Sequence, residues 1–112
     1  MKVIRVEGTP IGFDDYEPDE LEQDELDIIE RMGADEIRYC YAINEDFGDY
    51  DGAGDALIRI NGFWRYASLR HGSFDGPTDN MEMFGFQPTI EGLLATLPPD
   101  LRDALQPLAN AT

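Results

Sequence analysis

Basic residues are scarce in this chain: one lysine and seven arginines stand against 24 acidic residues in 112 positions, a net charge of −16. Binding to nucleic acid requires Lys and Arg to displace condensed counterions, so the shortage excludes direct nucleic-acid recognition. The same repulsion excludes anionic membrane surfaces. No apolar run approaches the roughly 20 residues that span a bilayer. Met1 to Glu7 lacks the apolar stretch of a secretory signal, which makes the cytoplasm the expected location. Cys40 is the only cysteine and His71 the only histidine. An internal disulfide and a multi-cysteine metal centre are thereby excluded.

Apolar residues make up 42% of the chain, with six Phe and five Tyr among them, which suffices to close one core and argues against global disorder. The expected fold is a single α+β domain over residues 1–112. It comprises an antiparallel sheet of three to five strands, an acidic helix after the first strand and two short C-terminal helices.

Lys2 to Val6 suits a short strand, ended by Gly8 to Gly12. Residues 14 to 30 then hold ten carboxylates. Pro18 fits a first helical turn and Gly33 a stop, which predicts a helix over about 18–32. At 100° per residue Leu21, Ile28, Ile29 and Met32 share its apolar arc. Asp19, Glu20, Asp24, Asp27 and Glu30 face away, and Glu20, Asp24 and Asp27 follow i, i+4, i+7 with no lysine between them. This reads as a soluble outer face or as a carboxylate array that binds something.

Ile37 to Ile43 alternates as a strand, with Ile37, Tyr39, Tyr41 and Ile43 on one face. A Gly/Asp-rich loop is expected over Glu45 to Asp55, followed by a strand from Ala56 to Ile60. The Asn61-Gly62 pair predicts a hairpin into Phe63 through Leu69. Met81 to Phe86 suits an edge strand, Thr89 can cap a helix reaching Leu97, and Pro99 can open a last helix through about Leu105. Leu101, Leu105 and Leu108 would form its apolar side, with both helices covering a sheet face.

Chemistry-bearing patterns are few. The acidic loop fails as a calcium site: counted from Asp49, position 5 is Ala53 and position 12 is Ile60 where a bidentate Glu is needed. His71 is the natural candidate base, and a triad would set it beside Ser73 or Cys40 with Asp75 behind. Ser73, however, lies in no Gly-x-Ser-x-Gly turn, and a strand cysteine is most often a small buried hydrophobe. The carboxylates are too many to single out a catalytic pair. No catalytic residue, metal site or cofactor is expected. The aromatic set Tyr39, Tyr41, Phe63, Trp64 and Tyr66 reads as core, with an exposed patch for a partner as the alternative.

The stretch Tyr50-Asp51-Gly52-x-Gly54, then Trp64-x-Tyr66 and His71-Gly72-Ser73-x-x-Gly76-Pro77, resembles small uncharacterised proteins of bacteriophages and prophages, over about a quarter of the chain. Those relatives often carry cysteines around the His-Gly segment, where this chain has Ser73 and Phe74. The resemblance implies a mobile-element origin and, with it, a role in blocking host defence enzymes such as CRISPR effectors and restriction systems. No enzymatic activity is implied.

The charge leads to the same expectation. Duplex DNA carries about one negative charge per 1.7 Å of axis, so an ordered carboxylate array can occupy a basic groove built for it. The expected function is a non-enzymatic acidic inhibitor or adaptor whose partner is a basic protein surface of the kind that binds nucleic acid. Its expected binding residues are Asp14, Asp15, Glu17, Asp19, Glu20, Asp24, Asp27 and Glu30, supported by Glu45, Asp46, Asp49 and Asp51. The alternatives are a module that binds protein through sheet aromatics or an edge strand, and an immunity protein against a basic nuclease toxin. A small His-dependent enzyme ranks last.

Overall fold

A computed structural model of the chain describes residues 1–46 and 49–112. Phe47, Gly48 and the side chains of Asp46 and Asp49 lie outside the described residues, so those two expected binding acids are not placed.

Among the described residues six strands form one mixed sheet with three helices around it, an α+β architecture. The elements are β1 (Lys2–Arg5), β2 (Glu17–Asp19), α1 (Gln23–Arg31), β3 (Ala34–Asp46), β4 (Asp49–Ile60), β5 (Phe63–His71), β6 (Glu82–Gln87), α2 (Ile90–Ala95) and α3 (Pro99–Ala109). Strands β3 to β6 pair antiparallel in sequence order. Asn61 and Gly62 turn β4 into β5 with φ of 53° and 82°, the left-handed pair a two-residue hairpin requires. The sheet is not wholly antiparallel, because β1 pairs parallel to β3.

The largest departure from expectation lies in the acidic segment. Residues 17–19 are not helix. They pair antiparallel with β3, Glu17 opposite Ile43 and Asp19 opposite Tyr41, while β1 occupies the preceding part of the same edge. The outer edge of a long strand presents unpaired N–H and C=O groups, and two short strands placed end to end satisfy them. Pro18 is tolerated because an edge strand has positions whose N–H is not needed. The helix therefore starts only at Gln23, and Gly33, with φ of 99°, follows its end as expected. Its buried residues are Leu26 and Ile29, whereas Met32 is exposed and Ile28 only partly covered. Glu20 precedes the helix, so the Glu20-Asp24-Asp27 series is not one helical row.

Within the expected loop over Glu45 to Asp55, residues 45–46 and 49–55 are strand, at the far end of the β3–β4 pair. Its glycines are there for space. A Cβ on Gly54 would sit 3.0 Å from the Cys40 carbonyl oxygen and 3.1 Å from Leu69, and one on Gly52 would overlap the His71 ring. Glycine inside a strand marks this kind of close approach.

Two apolar layers flank the sheet. On one face Leu21, Leu26 and Ile29 cover Ile37, Tyr39, Tyr41, Ile58 and Leu69. On the other, Leu93, Leu94, Leu105 and Leu108 cover Leu57, Trp64 and Tyr66, so both C-terminal helices lie on a sheet face. Thr89 caps α2 by accepting the Gly92 N–H at 3.0 Å. Helix α3 continues past Leu105 to Ala109 with Pro107 inside it. No helix among the described residues is long and apolar enough to cross a membrane.

Candidate functional site

Strand register determines where the carboxylates go. Glu17 lies opposite Ile43, Asn44 opposite Asp51 and Glu45 opposite Tyr50, so the acids of β2 and of the β3–β4 hairpin gather at one end of the sheet. Asp14 and Asp15 are bracketed there, because Phe13 lies over the Arg70 guanidinium at 4.8 Å and Glu17 follows in β2. The turn after β5 arrives at the same end. Ser73 Oγ accepts the Tyr50 N–H at 2.8 Å, and Gly52 is opposite His71. That turn adds Asp75 and Asp79, which were not among the expected binding residues; Asp79 Oδ2 accepts the Gly76 N–H at 2.6 Å. Asp14, Asp15, Glu17, Glu20, Glu45, Asp51, Asp75 and Asp79 are all exposed.

The cations lie elsewhere or are already engaged. Lys2 is opposite Glu36, and Arg59 and Arg65 flank the Asn61-Gly62 turn at the other end of the sheet. Arg59 pairs with Asp35 at 2.7 Å, and Arg38 pairs with Glu36 at 2.8 Å. Arg70 is nearer the acidic end, but its partner is the buried Asp55 at 3.3 Å. Arg5 approaches closest, and its Nε donates to the Asp19 carbonyl oxygen rather than to a carboxylate. Among the described residues none of the eight exposed acids forms an ion pair.

The expected array from Asp14 to Glu30 is thus divided. Asp14, Asp15 and Glu17 join Glu45 and Asp51, whereas half-buried Asp19 and exposed Glu20 lie further along the edge beside Val3 and Arg5. Asp24 and Asp27 lie on α1, where Asp27 accepts from the Gln23 amide at 2.9 Å. Glu30 pairs with the N-terminal amino group at 3.1 Å. Glu25 accepts the Thr78 hydroxyl at 2.6 Å and fastens the 72–80 segment to the helix.

His71 is buried on the same side of the sheet as α1. Its Nδ1 lies 3.0 Å from the Gly72 carbonyl oxygen, which can only accept, and its Nε2 lies 2.5 Å from the Tyr41 hydroxyl. Burial, reinforced by the neighbouring Tyr50 hydroxyl at 3.3 Å, pushes the Tyr41 phenol well above its ordinary pKa. Cys40 faces the opposite side of the sheet, opposite Asp55, so it is no partner for His71. Desolvation pushes the Cys40 thiol up to about 11, with the Asp55 charge adding to the rise. Ser73 Oγ is taken by the Tyr50 N–H. Among the described residues neither Cys40 nor Ser73 is hydrogen-bonded to His71, whose partners are Tyr41 and Gly72.

The aromatic set read as core is mostly core: Tyr39, Tyr41, Trp64 and Tyr66 are buried and Phe63 is half-buried. Among the described residues the exposed aromatics are Phe74, Phe84 and Phe86, which alternation within β3 to β5 could not have revealed. No family model, no curated protein and no solved structure matches the chain.

Proposed function

We propose that the protein is a non-enzymatic acidic binding protein that occupies a basic, nucleic-acid-binding surface of another protein, as an inhibitor of a host defence enzyme such as a CRISPR or restriction effector. The reading rests on one observation: exposed carboxylates from three separate segments, Asp14, Asp15 and Glu17, then Glu45 and Asp51, then Asp75 and Asp79, converge on one end of the sheet without ion-pair partners among the described residues. Pairing within the protein would have spent that charge. Left unpaired on strands and on turns anchored to them, it is presented to an external cation. Such a surface steers a basic partner and competes with phosphates for its lysines and arginines. The resemblance of the Tyr50 to Pro77 stretch to phage proteins favours a defence enzyme as that partner.

The test is duplex cleavage by a panel of purified restriction endonucleases and CRISPR nucleases at low salt, with and without the protein. Inhibition of at least one nuclease that weakens steeply with added salt supports the reading. So does loss of that inhibition when Asp14, Asp15, Glu17, Glu45 and Asp51 are replaced by Asn or Gln. Inhibition of none, or inhibition retained by the neutralised protein, contradicts it.

A second reading keeps the protein as a module that binds another protein through β6. Its support is that β6 is an edge strand carrying two exposed aromatics, Phe84 and Phe86. An immunity protein against a basic nuclease toxin would use the acidic end in the same way as the first reading.

A further inference from the structure

On the face covered by α2 and α3, the sheet and helices leave a half-open cavity of about 500 Å3. That is within the range of small-molecule sites. Leu97, Pro98 and Leu101 form its helical wall, and Tyr66 and Phe84 its aromatic wall. The two rings stack at 5.8 Å with 23° between planes, which leaves the outer face of Phe84, 44% exposed, toward solvent. Ser68 and Glu82 face each other across the strand pair beside those rings, and Asn80 closes the polar side.

The charge of the cavity decides its ligand. Arg70 also lines it, which at first suggests an anion. Its guanidinium is already engaged, however. Nη1 donates to the Gly54 and Leu69 carbonyls at 2.5 and 2.9 Å, Nη2 donates to Asp55, and the Phe13 ring covers its face. Asp55, 2% exposed, also accepts the Tyr66 hydroxyl at 2.7 Å. Arg70 and Asp55 therefore cancel, and Glu82, exposed and in no ion pair among the described residues, is the charge left at the opening. A carboxylate two residues from an exposed ring on the same face of a strand, with hydroxyl and amide acceptors alongside, is the donor set for an organic cation.

We infer that this cavity binds a small organic ammonium ion, its aromatic or alicyclic body against Phe84, Leu97 and Leu101 and its ammonium group on Glu82 with Ser68 and Asn80. The site adjoins the acidic end, since the Asn80 amide donates to Asp75 at 3.3 Å, but neither reading depends on the other.

The experiment titrates the intact protein with tryptamine, tryptophol and indole-3-propionate, which share one ring and differ only in the charge of the side chain. Affinity and site are read by NMR at physiological salt. The expected result is saturable binding with shifts at Tyr66, Phe84 and Leu101, tryptamine about tenfold tighter than tryptophol and indole-3-propionate weakest. Glu82→Gln, on an exposed edge strand, removes the amine advantage and leaves tryptophol binding unchanged. Phe84→Ala weakens both. Absence of binding, equal affinities for the three, an unchanged amine preference in Glu82→Gln, or shifts confined to residues 14–30 would overturn the assignment.

Discussion

The Tyr41 hydroxyl lies 2.5 Å from Nε2 of His71, and the pair fits only because residue 52, opposite His71 on the neighbouring strand, has no side chain. Gly52→Ala places a methyl group inside the imidazole. The expected loss is about 1–3 kcal/mol, the usual cost of overpacking, measured by urea unfolding. Combining it with His71→Ala vacates the space, so the double variant loses less than the sum of the two single ones. Additive losses would show that the ring and the backbone are not in contact.

Tyr66 and Arg70 both depend on Asp55. Tyr66→Phe removes one hydrogen bond from a carboxylate that keeps its arginine, at an expected cost of about 1 kcal/mol. Asp55→Ala leaves the buried Tyr66 hydroxyl without its acceptor and a half-covered guanidinium without its counter-charge. The expected cost is about 2–3 kcal/mol, held below that of a fully buried pair by the solvent exposure of Arg70. Equal losses in the two variants would contradict this ordering.

Four acidic groups with raised pKa values, the thiol of Cys40 and the phenols of Tyr39, Tyr41 and Tyr66, set the alkaline behaviour. Burial favours the neutral form in each, so the folded state holds these protons to higher pH than the unfolded chain does. The stability they contribute is fully present below the unfolded thiol value of roughly 8.5 and declines as pH rises from there through about 11 for Cys40. Urea midpoints should be level between pH 7 and 8 and fall above pH about 9. Cys40 should resist iodoacetamide at pH 8 in the folded protein and react once unfolded. Rapid alkylation of the folded protein would contradict its placement.

Trp64, 6% exposed, lies under α2 and α3 with the Arg38 and Arg59 guanidinium groups 5.5 and 5.6 Å from its ring. Trp64→Ala should cost about 3–5 kcal/mol, as large-to-small core changes do. Phe74→Ser, at a fully exposed site, should change stability by no more than about 0.5 kcal/mol. The comparison by thermal melting separates core aromatics from surface ones, and similar losses at both positions would contradict it.

What could be read from sequence was local. Alternation in Ile37 to Ile43, the Asn61-Gly62 turn, the Thr89 cap and Pro99 at the start of the last helix each carry their own signal, and each marks an observed element. Pairing decided the rest. Nothing in Glu17-Pro18-Asp19 says strand until the outer edge of β3 is available to it, and helical periodicity then assigned Glu20 to a helix it does not enter. Gly52 and Gly54 resemble loop residues because their reason, the bulk of His71, Tyr41 and Leu69, lies across the sheet. Asp75 and Asp79 joined the acidic end through a turn whose position depends on the register of β4 with β5. The cavity beside Glu82 required the α2–α3 corner to meet β6, a contact between segments that sequence order alone does not pair.

The most direct test of an anionic end is titration of the protein with deca-lysine, followed by backbone amide NMR at low salt. The account predicts shifts concentrated at residues 14–17, 45, 51 and 72–79, nearly abolished when Asp14, Asp15, Glu17, Glu45 and Asp51 are neutralised, and small around Arg59 and Arg65. Shifts spread evenly over both ends of the sheet, or unchanged in the neutralised protein, would contradict it.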